Sequence, residues 1–408
     1  MLMTGTGASQ AITIGSTVAL ARIYEPADFG LHAVFLSISS VIAGLATGKF
    51  EKAILLPKSE AVVIRLMLIA STLALASCTL VSVGLALSIL LGTTPLLPVA
   101  LVPTAALIPI WILMSAIGAI LNVYLNRHKR YNEMAAGRVC KAAGSAAIAL
   151  GIGTMAYSSY GLIYAEVFGI GTMTVVYAWS ARRVHNGGFG NWNVRELIET
   201  AKSYNDFPKY SLPGDFVRVA TAEVPVLMIT SLFGVERLGF YAMTKRLLEA
   251  PVSLVSVSVT EVFSQAVTDL INRGKTAAEL TRKLLLQLAV GSAVPFVIFM
   301  FLAESIFAWA VGEEWRLSGT VAMVLAPLYL VRLIVSPVTY IYIARRRQSE
   351  FLVTMLVNLL LAVVAFGIGH IAELSFLTTL MLYAGVNCLL YLYYAYRSHQ
   401  IASEKLTI

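Results

Sequence analysis

Long apolar runs recur along the whole chain, and short polar or turn-forming clusters separate them. A helix that rises 1.5 Å per residue needs about 20 apolar residues to cross a hydrocarbon layer of about 30 Å. Because the runs have this length, we predict an all-α, polytopic membrane protein with about twelve transmembrane helices. The predicted spans are residues 2–22, 30–48, 63–91, 97–123, 134–156, 160–180, 211–233, 237–261, 284–307, 318–343, 351–370 and 375–396.

The longest polar connection covers residues 183–210 and divides the predicted helices into two sets of six. We therefore predict an N-terminal six-helix lobe over residues 1–182, a cytoplasmic linker over 183–210 and a C-terminal six-helix lobe over 211–408. Residues 24–33 (YEPADFGLHA) and 233–242 (FGVERLGFYA) each join the first two spans of a lobe and echo one another. Internal repeats of this kind are typical of transporters.

The composition agrees with a bilayer environment. Hydrophobic residues make up 58% of the chain and charged residues 13%, whereas a soluble domain carries about 25% charged residues.

Cys78, Cys140 and Cys388 lie in apolar stretches without a CxxC motif, so we expect neither disulfides nor a thiolate metal site. An amphipathic stretch over residues 191–204 is expected to lie along the membrane surface, with Trp192 as an interfacial anchor.

Lysine and arginine are retained on the cytoplasmic side of membrane proteins, so their distribution tests the predicted spans. Alternate connections and the C-terminal tail carry 23 of the 30 Lys and Arg residues, whereas the opposite connections hold only Arg22, Arg237 and Arg316. The cytoplasmic set is Lys49, Lys52, Lys58, Arg65, Arg127, Lys129, Arg130, Arg138, Lys141, Arg182, Arg183, Arg195, Lys202, Lys209, Arg273, Lys275, Arg282, Lys283, Arg345, Arg346, Arg347, Arg397 and Lys405. We therefore predict that both termini are cytoplasmic. The net charge of +8 follows mainly from this asymmetry and does not point to a nucleic-acid partner.

Charged residues inside the predicted spans are few, and each costs about 2.5–3.5 kcal/mol at a helix centre. Those that could carry chemistry include Glu166, Asp215, Arg218, Glu223, Lys245, Arg246, Glu249, Glu261 and Arg332. Asp215 and Arg218 are three residues apart and Lys245 and Glu249 four apart, so each pair shares a helix face. Such pairs either neutralise themselves inside the bundle or take part in transport. For Arg332 we expect a partner in Glu223, Glu261 or an anionic substrate.

Prolines and one Pro-Gly pair lie inside several predicted spans, where each proline frees a backbone carbonyl and bends its helix. They are Pro103, Pro109, Pro213-Gly214, Pro225, Pro251, Pro295, Pro327 and Pro337. Broken helices of this kind are tolerated around water-lined cavities and often form the site that moves. Kinks that only improve packing are the alternative.

Enzyme signatures are weak. Residues 43–50 (AGLATGKF) lack the first glycine and the final Ser or Thr of a P-loop, so ATP is not the expected drive. Residues 25–28 (EPAD) are better explained as a capping turn that opens a helix than as an acidic catalytic site. No HExxH motif occurs, and the outer connections are too short for a catalytic domain. We therefore expect a protein that is not an enzyme and that needs no cofactor or metal.

Several segments together resemble the polysaccharide transporter branch of the MOP exporter superfamily, the Wzx-like O-antigen flippases. They are residues 21–30 (ARIYEPADFG), 50–57 (FEKAILLP), 126–131 (NRHKRY), 207–213 (FPKYSLP) and 239–242 (GFYA) followed by Lys245-Arg246-Leu247 and Pro251. The resemblance runs nearly end to end. It implies two six-helix lobes around a cationic central cavity, which passes a sugar-pyrophosphate head across the membrane while a polyprenyl tail stays in lipid.

The resemblance also suggests residue roles. Lipid-linked peptidoglycan precursor flippases are similar at residues 21–23 and 246–251, where their arginines face the cavity, and this implies the same role for Arg22 and Arg246. From the residues themselves we predict that Arg218, Lys245 and Arg332 bind the pyrophosphate, because a buried anion needs several cations and Arg offers forked donors. Glu223 and Glu261 are the acids that we expect to couple transport to a proton or sodium gradient.

The expected substrate is therefore a polyprenyl-pyrophosphate-linked oligosaccharide in the bacterial cytoplasmic membrane, with membrane lipids and polysaccharide polymerase or chain-length proteins as partners. Two alternatives stay open. A multidrug or cation antiporter of the same fold would have an acidic, aromatic-lined cavity, whereas the spans here carry Arg and Lys. A polyprenyl-linked glycan polymerase or ligase would need a large outer loop with an acid or histidine site.

Overall fold

The computed structural model of the protein describes residues 2–92, 98–155, 158–184 and 193–404, with side chains from residue 7 onward. Every regular element in these ranges is a helix, which confirms the predicted all-α class. The long helices are α1 (Leu2–Leu20), α2 (Pro26–Ala46), α3 (Glu60–Leu90), α4 (Leu107–Arg127), α5 (Tyr131–Met155), α6 (Gly161–Val184), α7 (Val194–Ser203), α8 (Leu212–Asn272), α9 (Ala278–Val311), α10 (Arg316–Val335), α11 (Gln348–Ile371) and α12 (Phe376–Ser403). Short helical segments are Phe50–Ala53, Val99–Thr104, Phe207–Ser211, Glu313–Trp315, Ser336–Thr339 and Tyr340–Ala344.

The number of membrane crossings agrees with the prediction of about twelve. Ten helical stretches in the described part of the chain are long and apolar enough to cross a membrane. One of them, Phe207–Asn272, has 66 residues, which at about 20 residues per crossing is enough for two crossings. Gly234 interrupts it with φ +84° and ψ 173°. If the two parts of α8 are counted separately and α1, which has 19 residues, is added for its length alone, the described residues hold twelve helical segments of membrane length.

Contacts between Cα atoms divide the chain into two compact units, Met1–Glu223 and Val224–Ile408. Each unit has its own buried core. Phe50, Leu66, Tyr124 and Tyr177 lie in the N-terminal core, whereas Phe263, Val338, Tyr342 and Tyr394 lie in the C-terminal core. The predicted linker at 183–210 includes residues 185–192, which lie outside the described residues. The division into two six-helix lobes at that linker stays a prediction.

The outward faces of the helices are apolar. In α3, Leu80 and Leu90 are 74% and 81% exposed, and in α9, Phe301 and Trp309 are 81% and 82% exposed. Monomeric soluble proteins rarely expose apolar surfaces of this extent. These faces are therefore the ones that contact lipid, as the apolar runs in the sequence predict.

Local sequence explains where α2 begins. Glu25 precedes the helix, Pro26 occupies its first position, and the backbone N–H of Glu25 donates to Asp28 Oδ2 at 3.1 Å. Proline suits this position because its missing N–H would have had no partner in the helix. The EPAD segment is therefore a helix-opening turn, as its sequence indicates.

Two predicted spans differ from the structure because of proline. The span at 97–123 is a 3₁₀ segment, Val99–Thr104, that contains Pro103 and is followed by α4, while residue 97 lies outside the described residues. The span at 318–343 ends as α-helix at Val335 and continues through a 3₁₀ turn that contains Pro337. A proline inside a helix removes one backbone hydrogen bond, so the chain tightens or stops there. Pro225 and Pro251, in contrast, lie within α8.

Helices α5 and α6 approach each other closely at Gly169 of α6. A Cβ atom on Gly169 would overlap with Ser145 Oγ and would lie 3.0 Å from the carbonyl oxygen of Lys141, both on α5. Small residues permit this kind of backbone approach between membrane helices. The contact sets α5 and α6 in a fixed register and brings Lys141 next to the turn of α6 that carries Glu166.

Candidate functional site

Four charged residues of the N-terminal unit form what we call the cation cluster: Lys49, Lys52, Asp215 and Arg218. The Oδ2 atom of Asp215 lies 3.3 Å from Lys49 Nζ and 2.6 Å from Lys52 Nζ. Arg218 Nε lies 3.7 Å from Oδ1 of the same carboxylate. The predicted Asp215–Arg218 pair is thus present, but the lysines are the nearer partners, and sequence reasoning gave them only a topological role.

A backbone turn after α2 aims Lys49 at Asp215. Gly48 and Lys49 both have left-handed backbone, with φ +59° and +63°, and for a non-glycine residue this conformation costs roughly 1–2 kcal/mol. Lys49 is nevertheless buried, with 10% of its side chain exposed. Its Nζ also lies 3.9 Å from Glu51, whose carboxylate accepts a 2.5 Å hydrogen bond from Thr47 Oγ1. The ion pairs of Lys49 with Asp215 and Glu51 therefore stabilise the turn.

In the C-terminal unit, Arg332 of α10 binds Glu249 of α8, with Nη1 3.2 Å from Oε1. The guanidinium also lies 6.0 Å from the ring centroid of Tyr329, within the range of a cation–π contact. Glu249, and neither Glu223 nor Glu261, is therefore the ion-pair partner of Arg332, while the predicted contact with a substrate anion stays a prediction. Glu249, assigned by sequence to Lys245 one turn away, reaches Arg332 because α8 and α10 pack together along this stretch.

Hydrogen bonds between α8 and α10 fix the position of Lys245 and Arg246. Thr244 Oγ1 donates to the carbonyl of Ser318 at 2.8 Å, and Ser318 Oγ donates to the carbonyl of Phe240 at 3.1 Å. Thr244 and Ser318 are fully buried. Lys245 and Arg246 follow directly and are half-buried, so a rigid two-helix contact holds the two cations.

The remaining predicted site residues take no part in the ion pairs described above. Arg22 is exposed in the turn after α1, which Tyr24 anchors by donating its hydroxyl to the carbonyl of Ala149 at 2.8 Å. Glu223 is half-buried and Glu261 is exposed, both within α8. Among the residues that the structure describes, neither carboxylate has an ion-pair partner.

A further charge pair lies inside the N-terminal unit. Lys141 Nζ of α5 is 2.7 Å from Glu166 Oε1 of α6, and the indole N–H of Trp111 on α4 donates to the same oxygen at 3.4 Å. Lys141 lies ten residues into α5 and not in the connection before it, while its place on the cytoplasmic side stays a prediction. The sequence could have shown that both residues lie inside membrane helices, since Lys141 falls within the predicted span 134–156 and Glu166 within the span 160–180.

No group of three His, Cys, Asp or Glu residues that could hold a metal occurs in the described part of the chain. Cys78, Cys140 and Cys388 are free thiols.

Comparison with known proteins identifies the family of the chain and the fold that it shares. A sequence model described as polysaccharide biosynthesis protein matches residues 19–319, while a search of curated proteins finds no match. The lipid II flippase MurJ in its inward closed conformation has a TM-score of 0.76 at 13% identity, over 97% of this chain and 87% of MurJ. An inward-facing multidrug resistance MATE family transporter of the MOP superfamily has a TM-score of 0.64 at 10% identity, over 98% and 94%.

Identities this low show the fold alone, whereas the family model covers more than half of the chain. The predicted resemblance to MOP-superfamily flippases is confirmed. The chain is a multi-pass membrane protein with the fold shared by MurJ and MATE transporters, and it belongs to the polysaccharide biosynthesis protein family.

Proposed function

We propose that the protein is a flippase that moves polyprenyl-pyrophosphate-linked oligosaccharide units across the cytoplasmic membrane for the synthesis of O-antigen, capsule or exopolysaccharide. One observation carries the proposal. In a chain of this family, the stretches 241–255 and 317–335 hold three cations, Lys245, Arg246 and Arg332, and a single carboxylate, Glu249. Ionisable residues inside membrane helices mark substrate pathways by default, and cations suit an anionic substrate.

The chemistry of the cations suits a pyrophosphate. Arginine presents five N–H donors in a fixed fork that matches phosphate oxygens, and lysine supplies a mobile point charge. The contact between Arg332 and Glu249 uses one terminal nitrogen, so donors remain to face a phosphate. We assign substrate binding to Arg22, Arg218, Lys245, Arg246 and Arg332, of which Arg218 already belongs to the cation cluster.

A gradient of protons or sodium ions would drive the cycle, with Glu223 and Glu261 as coupling groups. The half-buried carboxylate of Glu223 is the better placed of the two, because an acid removed from water responds more strongly to a bound ion. The proposal places the protein in the bacterial cytoplasmic membrane with cytoplasmic termini. A polysaccharide polymerase and chain-length proteins would act on the translocated unit, and the flippase itself would use no cofactor.

A multidrug or cation antiporter is the main alternative, because MATE transporters have the same fold. The cations on α8 and α10 disfavour it, since they repel cationic drugs at close range. A glycan polymerase or ligase is a weaker alternative and would form glycosidic bonds in the purified state.

Flipping of a fluorescent lipid-linked oligosaccharide in proteoliposomes tests the proposal. We expect wild-type protein to flip it, Arg246→Ala to lose at least tenfold in rate, and Arg195→Ala to retain the wild-type rate, because Arg195 is 85% exposed in α7. Efflux of cationic dyes without lipid flipping would establish the antiporter instead. An unchanged rate in Arg246→Ala would remove the cationic pathway from the proposal.

A further inference from the structure

The ion pair of Lys141 and Glu166 lies within membrane-spanning helices, where charged residues are often functional. Lys141 lies about 15 Å along α5 from its first residue, at 1.5 Å per residue, and Glu166 lies within the apolar span of α6. Both charges are thus inside membrane-spanning helices. Ionisable residues at such positions are costly and are functional sites by default.

The two partners differ in how much of the side chain is exposed. Lys141 has 32% of its side chain exposed, whereas Glu166 has 14%. An incoming ligand would therefore reach the ammonium group first, while the carboxylate lies behind it. The hydroxyl of Ser145, one turn after Lys141 on α5, is buried and makes no hydrogen bond among the described residues, so a second donor lies near Lys141 without a partner.

Two of the helices packed around the pair, α4 and α2, bring side chains that act on Glu166. Helix α4 brings Trp111, whose N–H donates to Glu166, and α2 brings His32, which acts electrostatically on the same carboxylate. Helix α1, which packs on α5, carries no ionisable side chain. Lys141 and His32 are thus the titratable groups that face Glu166. Histidine changes charge near neutral pH, so its contribution needs a control of its own.

We propose that Lys141 and Glu166 form a proton-coupled anion site, in which Lys141 binds either the Glu166 carboxylate or a phosphoryl oxygen of the substrate. The inference rests on the proposed function. It adds a site at which the Glu166 carboxylate and the substrate phosphate compete for Lys141. When a proton binds to Glu166, the carboxyl group becomes neutral and Lys141 is released. A phosphoryl anion then pairs with Lys141, so one proton enters with each anion and the charge of the site stays balanced.

The environment supports both protonation states. Trp111 can donate to a carboxyl oxygen of Glu166 whether or not the acid is protonated, because a neutral carboxyl group keeps an acceptor oxygen. Lys141 without any anion would be an uncompensated charge inside a membrane-spanning helix, which is costly. Proton binding and anion binding are therefore linked, and by reciprocity each strengthens the other.

Calorimetric titration of the purified full-length protein in nanodiscs tests this linkage. The probe is a short-chain prenyl-pyrophosphoryl sugar, a diester whose phosphates do not titrate near neutral pH, and inorganic sulfate in a parallel series represents a free anion. We expect the affinity of wild-type protein to rise up to about tenfold per unit fall in pH, with about one proton taken up per anion. If only the prenyl compound shows this behaviour, the site recognises the lipid-linked form; if both do, it recognises the anion alone.

Variants separate the site from other charges. Glu166→Gln is expected to bind the probe tightly with no proton uptake, and Lys141→Gln to bind it at least tenfold more weakly. His32→Gln should keep the proton uptake. Asp269→Asn, which removes the acid of an exposed pair with Arg273, is the matched control and should behave like wild type. Retained proton uptake in Glu166→Gln, or none in wild type, would overturn the inference.

Two further results keep the test decisive. If a single variant fails to fold, the double variant Lys141→Gln/Glu166→Gln removes both charges together. It should bind the probe weakly and without proton uptake. Proton uptake linked to binding in the double variant would refute the site. The assay needs no translocation. Proton-linked binding by a protein that flips no lipid would refute the proposed function alone, and flipping without proton-linked binding would refute this inference alone.

Discussion

Lys52 Nζ lies 2.6 Å from Asp215 Oδ2, which joins the short helix after α2 to the first turn of α8. Lys49 reaches the same oxygen at 3.3 Å. The Asp215 carboxylate thus holds together two segments that are far apart in the sequence, and it compensates a buried lysine in left-handed backbone.

We predict that Asp215→Asn lowers the stability of the protein by about 1–3 kcal/mol, because it leaves Lys49 charged and buried without its nearest acid. The midpoint of thermal unfolding in detergent, measured at one scan rate, should fall clearly below that of wild type. Asp269→Asn removes an exposed acid and should leave the midpoint within error. Equal midpoints for the two variants would mean that Asp215 does not hold the cluster together.

Gly169 and Gly171 offer a matched pair on α6. A Cβ at Gly169 would overlap with Ser145, whereas a Cβ at Gly171 would meet nothing within 4 Å. We expect Gly169→Ala to destabilise by about 1–3 kcal/mol through overpacking. Gly171→Ala should be neutral or stabilising by up to about 1 kcal/mol, because alanine favours helix. The same unfolding measurement compares them, and a stabilising Gly169→Ala would contradict the close α5–α6 contact.

Arg332 provides a test of forked recognition. Arg332→Lys keeps the charge and can still pair with Glu249, but it loses the planar array of donors. If Arg332 binds pyrophosphate, this variant should flip lipid-linked oligosaccharide about tenfold more slowly while unfolding at nearly the wild-type temperature. A wild-type rate would limit Arg332 to the structural contact with Glu249.

Glu223 and Glu261 differ in exposure, and this difference predicts different effects on coupling. Glu223→Gln should reduce the acceleration of flipping by an imposed pH or sodium gradient, because the side chain is half-buried in α8. Glu261→Gln should have the smaller effect, since Glu261 is exposed and burial is what makes an acid sensitive to a bound ion. Flipping by wild type that ignores both gradients would exclude either acid as a coupling group.

The sequence predicts the helices and their number well, because apolar runs of membrane length leave few alternatives. It also predicts contacts within a helix, such as Asp215 with Arg218. Periodicity carries no information about partners on different helices, so Glu249 with Arg332 was missed. Lys141 was missed for another reason: a count of basic residues on each side of the membrane treats every lysine as topological, including one inside a span.

The contact at Gly169 has a consequence for energy transduction. Under the proposed mechanism, two helices that approach this closely would move together, so the backbones that carry Lys141 and Glu166 would keep their spacing while the side chains exchange partners. The energy of an ion gradient would then change which aqueous compartment has access to the pair. It would not separate the two helices that carry the charges. A leak of protons between the compartments would depend on how tightly the surrounding helices exclude water.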